Sequence, residues 1–211
     1  LSLTLLALNL IFTGSASAAT LNVATGNDEK SVNSSCSLSE AIENINDGAS
    51  TNIDCVAGDG DNDTIVIPAG TITLTAAPPV VSKSISITGA GKDLSVIDGA
   101  GAWYTLSVFM SSLGGDIVLT DFSIENAKYS GVDICANNIT VSRFGVSHSE
   151  GGGVFGTVDS GGCVPTHSIN ITDSSFNENS GSSILSPSAG LVIAPVIDCA
   201  HEAEVSVKRV Q

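Results

Sequence analysis

The chain has 211 residues, 22 acidic against 7 basic side chains, a formal net charge of −15, 22 glycines and 4% aromatic residues. That length allows one domain with a real core, and a field of that sign repels nucleic acid and anionic membranes and excludes them as partners. It also weighs against an acidic polysaccharide substrate unless a metal bridges the two. The many Ser, Thr, Val, Ile, Asn and Gly residues are those of an all-β protein.

In chain order, residues 1–18 read as an export signal that has lost its start. Leu1 to Phe12 form an apolar run, and Ala16-Ser17-Ala18 is a small-residue cleavage site. The run is too short and too poorly flanked for a membrane anchor, so the mature chain is expected to begin at Ala19, without membrane insertion. An N-terminal cap over 19–63 and a repeat body over 64–211, incomplete at its C-terminal end, are the expected divisions.

Ser37 and Glu40 have the spacing of a capping box. Leu38, Ala41, Ile42 and Ile45 then follow at helical spacing, which predicts a short amphipathic helix. About three turns need tertiary packing to persist, and the open end of a stack of strands needs a cover. Asp63–Ile67 and Gly70–Leu74 read as two short strands around a Pro-Gly turn. Cys36-Ser37-Leu38-Ser39-Glu40-Ala41-Ile42 and the strand pair together resemble the start of the bacterial CSLREAI-domain proteins. These are exported chains that continue into a right-handed parallel β-helix. The resemblance implies a fold and an address and little chemistry, since most members have no assigned activity.

Five cysteines in an exported chain predict disulfides. Cys36 and Cys55 flank the helix and are expected to pair. Cys135 and Cys163 fall on successive copies of the repeat described next and form a second expected pair, which leaves Cys199 over.

The repeat has copies starting at Ile117, Ile139 and Ile169, 22 and 30 residues apart. Each has apolar residues at i and i+2, then Thr or Ser, and another apolar residue at i+7. Alternation predicts a strand with one buried face, and the polar break predicts a corner. Ser84–Thr88 reads as an earlier coil. Stacking would align Ile117, Ile139 and Ile169 in one ladder and Leu119, Val141 and Ile171 in a second. Ile124, Val146 and Phe176 would form a third, on another sheet. The fold class is therefore all-β, a right-handed parallel β-helix or solenoid with a short N-terminal capping helix. A β-sandwich is the alternative. By pattern alone the body resembles the pectin-lyase-like group.

Three constellations are candidates for chemistry. Asp121, Arg143 and Asp173 hold equivalent positions on successive copies, so an arginine would lie between two carboxylates on one outer surface. β-Helix polysaccharide lyases use such surfaces, with carboxylates holding Ca²⁺ and an Arg or Lys as base. The plain alternative is a structural ion-pair ladder. His148 nearby is a candidate second base. Asp59, Asp61 and Asp63 alternate along an acidic loop in a manner that suits Ca²⁺. The loop departs from an EF-hand, with Thr64 in the place of its glycine and Gly70 in that of its bidentate Glu. Gly151–Gly153 and Gly161–Gly162, around Asp159 and Cys163, read as a long insertion between copies and match no phosphate-binding pattern.

No nucleophile-plus-base set emerges, and no cofactor is called for, Ca²⁺ being the one weighed. The expectation is a non-enzymatic module, secreted or on the outer cell surface, that serves adhesion or structure, with glycans or other surface proteins as partners. The alternative is a β-helix polysaccharide lyase or glycoside hydrolase. A truncated remnant without function is a third, weaker reading.

Overall fold

The computed structural model describes residues 18–109, 115–155, 168–179, 191–193 and 204–211. The expected signal therefore lies almost wholly outside the described residues, as do Cys163 and Cys199.

The chain is mostly sheet, with one short helix. β1 (Thr20–Asn22) and β2 (Gly26–Asp28) precede α1 (Leu38–Asp47). β3 (Asp63–Ile67), β4 (Gly70–Leu74), β5 (Ile85–Gly89), β6 (Ser95–Asp98) and β7 (Leu106–Phe109) follow. Next come β8 (Asp116–Glu125), β9 (Ser130–Cys135), β10 (Asn138–Ser147) and β11 (Gly151–Phe155). The last are β12 (Ser168–Thr172), β13 (Ser175–Asn177), β14 (Leu191–Ile193) and β15 (Glu204–Lys208).

All recorded pairings are parallel. The larger sheet runs β1-β3-β5-β8-β10-β12-β15, with β2, β4, β6 and β13 joined to the same sheet; the smaller runs β14-β11-β9-β7. Ile117 pairs with Ile139 and Ile139 with Ile169, while Leu119, Val141 and Ile171 align likewise. All six are buried. The repeat was legible because alternation places these side chains on one face of each strand.

Two expectations change. The sheet begins at Thr20, since β1 pairs with β3 and β2 with β4. Strands of three residues carry too little periodicity to show in the sequence. The third ladder, Ile124, Val146 and Phe176, pairs as expected but not on a separate sheet. β8 and β10 run through the corner as continuous strands, so the bend re-aims the backbone without ending the element.

The corner has a local cause. Asp121, Arg143, Asp173 and Arg209 all have positive φ, between 47° and 62°. One left-handed residue turns the strand, a conformation that Asp tolerates and a bulky residue rarely adopts. In the preceding row the corner belongs to Gly89. A Cβ there would lie 2.1 Å from the Asp121 carbonyl oxygen, which already accepts from the Gly91 N–H. A second corner repeats the device at Asn126, His148 and Glu178.

A small buried serine follows some corners and makes the hydrogen bonds that the bend displaces. Ser174 Oγ accepts from the Phe144 N–H and donates to the Thr172 carbonyl. Ser149 Oγ accepts from the Ala127 N–H and donates to the Ser147 carbonyl. Both serines are buried, where an unpartnered hydroxyl or amide would be costly.

Helix α1 is capped as its sequence predicts. Ser37 Oγ accepts from the Glu40 N–H at 3.2 Å and Glu40 Oε2 accepts from the Ser37 N–H at 3.0 Å. Gly48 closes the helix in the left-handed conformation. Leu38, Ala41, Ile42 and Ile45 join the same core cluster as the strand interiors. Asp28 of the terminal strand β2 accepts from the Ser39 N–H and hydroxyl, which ties the helix to that end of the sheet. Cys36 and Cys55 form the expected disulfide, with Cα atoms 4.7 Å apart. Buried Asn44 donates to the carbonyls of Asn52, Cys55 and Val56 and pins the loop after the helix. Cys135 is also disulfide-bonded.

Candidate functional site

The first corner carries the charged row. Arg143 Nε donates to Asp121 Oδ1 at 2.5 Å, and Nη2 donates to Asp121 Oδ2 at 2.6 Å and to Thr120 Oγ1 at 2.9 Å. This bidentate pairing is the strong form of an arginine–carboxylate contact. Asp173 does not share Arg143; its carboxylate accepts from Arg209 Nε and, at 2.7 Å, from Arg209 Nη2. The row thus reads Asp-Arg-Asp-Arg: Arg143 lies between two carboxylates, as expected, but its hydrogen bonds go to Asp121, while Asp173 closes on Arg209.

Arg209 was missed. Its signal was a fourth copy, Val205-Ser206-Val207-Lys208-Arg209-Val210, which matches the apolar and Arg positions of Ile139-Thr140-Val141-Ser142-Arg143-Phe144, with Lys208 in place of the Thr or Ser. The strand register aligns it one row beyond Asp173, with Lys208 opposite Thr172. The copy is displaced by a long intervening segment, so the period alone did not reveal it.

Electrostatics follow the geometry. The Arg143 hydrogen bonds hold the Asp121 carboxyl below the usual carboxylate range, and those from Arg209 do the same for Asp173. Arg143 in turn is shifted up by Asp121, so it stays protonated and is a poor base. Because both carboxyls are depressed, their contribution to stability is present above the ordinary carboxylate value of about 4. It is lost as pH falls through the lower folded values. Denaturation midpoints should therefore drop on acidification through that range, and Arg143→Ala should remove Asp121's share of the drop. An acid limb identical in the variant would assign the loss to other groups.

His148 sits at the second corner with Nε2 2.6 Å from Glu178 Oε2, and both side chains are exposed. It faces its own corner neighbour rather than the Asp121–Arg143 pair. Between the two corners an open trough is lined by Lys92, Ser123, Glu125, Gly145, Ser175 and Asn177. Gly145 and the serines leave its floor shallow, and Lys92 is paired with Asp93 at 3.1 Å. A glycosidase needs two carboxyl groups across one bond; of the expected candidates, Asp121 and Asp173 are each engaged with an arginine.

The acidic loop differs from its expected geometry. Asp63 is fully buried and turned inward, where Oδ1 accepts from the Ala19 N–H at 2.6 Å. Its Oδ2 accepts from the Asp59 and Gly60 N–H groups at 3.0 and 3.2 Å. Asp59 Oδ1 accepts from the Asp61 N–H in a local turn. The three carboxylates of Asp59, Asp61 and Asp63 do not converge, and among the described residues no group of three or more His, Cys, Asp and Glu is placed to hold a metal ion. Alternating Asp residues cannot be told in sequence from a turn that satisfies its own amides. Gly151–Gly153, read as an insertion, instead begin β11, which pairs with β9 and β14; a ladder needs only backbone groups, so glycines serve. Asp159, Gly161, Gly162 and Cys163 lie outside the described residues.

Among the described residues no helix is long and apolar enough to cross a membrane. Comparison with protein families, curated proteins and solved structures finds no match to this chain.

Proposed function

We propose that the chain is an exported, non-enzymatic module of the cell surface or extracellular space, built as a right-handed parallel β-helix and serving structure or adhesion. The observation that carries this reading is the corner row. Its conspicuous charges close on one another, Arg143 with Asp121 and Arg209 with Asp173, and so stabilise neighbouring strands. In-register parallel strands with one-residue corners support the β-helix, and the capped helix at the terminal strands supports the kinship with the CSLREAI-domain proteins. The apolar run and small-residue site at the start support export, and the acidic surface suits a soluble extracellular protein. Glycans or other surface proteins are the partner classes such a module meets.

A polysaccharide lyase must stabilise an anion and place a base within hydrogen-bond reach of a proton. Arg143, held protonated by Asp121, fits neither task well. The test is an absorbance assay for unsaturated uronide products, with and without added Ca²⁺, using the chain from Ala19 and an Arg143→Ala control. No product is expected. Turnover that depends on Arg143 or on Ca²⁺ would replace the adhesion reading with the lyase.

A further inference from the structure

Asp63 is a carboxylate with 0% exposure whose recorded donors are backbone amides of Ala19, Asp59 and Gly60. Among the described residues no Lys, Arg or His pairs with it. Burial, with the Asp59 carboxylate beside it, pushes its carboxyl up. A buried carboxylate held by neutral donors lacks a counter-charge, an expensive arrangement. The shortest of its contacts comes from Ala19, whose carbonyl in turn accepts from the Thr64 N–H at 2.8 Å. Ala18 is exposed and Ala19 half-buried, whereas Leu21 is fully buried and paired with Ile65. The amide that reaches Asp63 thus belongs to the residue that follows the small-residue motif Ala16-Ser17-Ala18.

We propose that Asp63 is the acceptor for an α-ammonium group created at Ala19 by hydrolysis of the Ala18–Ala19 peptide bond. This inference rests on the export reading, since the agent is an export-pathway peptidase. Water adds across the bond: its oxygen completes the new carboxylate of Ala18, and both its protons end on the Ala19 nitrogen, which becomes the ammonium. A neutral amide donor becomes a cationic one in a place already built for it. The hydrogen bond then carries charge on its donor as well as its acceptor, and the buried carboxylate gains its counter-charge. Ala19 is only half-buried, so the ammonium keeps access to water and escapes most of the desolvation cost. Processing is thereby coupled to closure of the first row, where Thr20 pairs with Thr64 directly beside the contact.

The test compares three forms of the chain through residue 211: one starting with a free amine at Ala19, one acetylated at Ala19, and one starting with a free amine at Ala18. Each is made with Asp63 and with Asp63→Asn. The free Ala19 form is expected to have an unfolding constant about tenfold smaller than the acetylated form, and the gap should close in the Asp63→Asn background. Moving the amine to Ala18 should forfeit the gain. Equal stability of the three forms would overturn the proposal, as would a gain that survives Asp63→Asn. Should Asp63→Asn not fold, the wild-type trio still decides: hydrogen exchange at Leu21 and Thr64 must slow only in the free Ala19 form, and equal slowing in the Ala18 form overturns the pairing. N-terminal sequencing of the exported protein separates the two readings. A secreted chain starting at Ala19 without the coupling leaves export standing and sinks the pairing. Retention of the uncut chain in the cell sinks export whatever the coupling.

Discussion

Replacing Phe144 by alanine is expected to lower the unfolding free energy by about 3–5 kcal/mol. Phe144 is fully buried just after the Arg143 corner, and rows lie on both sides of it. Its ring meets Phe122 edge-on at a centroid distance of 4.9 Å and Phe176 at 6.3 Å. Edge-to-face packing adds to the burial term. Removing the middle ring of three opens a cavity that neighbours on fixed strands cannot collapse to fill. The Phe144 amide is also bonded to the Ser174 hydroxyl, so the backbone is held in place around the void. Urea denaturation of the two proteins measures the change. Phe176→Leu, a smaller truncation at a site 7% exposed, is the comparison and should cost less. A loss at Phe144 no larger than that at Phe176 would mean that the rows do not confine each other as the packing indicates.

Loss of the Cys36–Cys55 bridge, as the Ser double variant or on reduction, should destabilise the folded chain by about 3 kcal/mol by the chain-entropy account. The bridge closes a segment with a sequence separation of 19 that contains the whole of α1. Cys36 also fixes β2's neighbourhood, since its carbonyl accepts from the Ala24 N–H. The effect should be concentrated at the helix. Amide exchange in α1 should accelerate more than exchange in β8 and β10, whose pairings do not involve the cap. Uniform acceleration across the strands would show that the cap and the rows unfold as one unit, and a change well under 1 kcal/mol would show that the Asn44 web already restrains the loop.

Parts of this architecture are legible in the residues and parts are not, for physical reasons. The ladder of Ile117, Ile139 and Ile169 is visible because alternation, a polar break and a later apolar position recur together. The capping box is visible because Ser37 and Glu40 have a fixed spacing and a reciprocal hydrogen-bond pattern. The strands of the smaller sheet are not, because β9 and β11 are short and β11 opens with glycines that carry no side-chain pattern. At the corner row, sequence equivalence placed Asp121, Arg143 and Asp173 side by side but could not say which partners each would choose; that depends on Arg209 beyond a long separation. Asp63 shows the same limit. Its position in an acidic run suggests a solvent-facing ligand, whereas its burial follows from starting a strand whose first side chain faces the core.

The short sequence offset between neighbouring rows has a consequence for how the chain acquires its structure. Arg143 and Asp121 are separated by 22 residues, and Ser168 and Asn138 by 30. Each row is thus completed by a segment near it in sequence, however long the whole chain is. The entropy of closing such a loop grows only with the logarithm of its length, and it falls due once per row rather than once for the entire sheet. The search is therefore a succession of short local steps, each templated by the strand already laid down. Growth can start from the terminal strands β1 and β2, which α1 and its disulfide brace independently of the later rows. A chain organised this way can zip in the order in which it is made, with no need to wait for its far end.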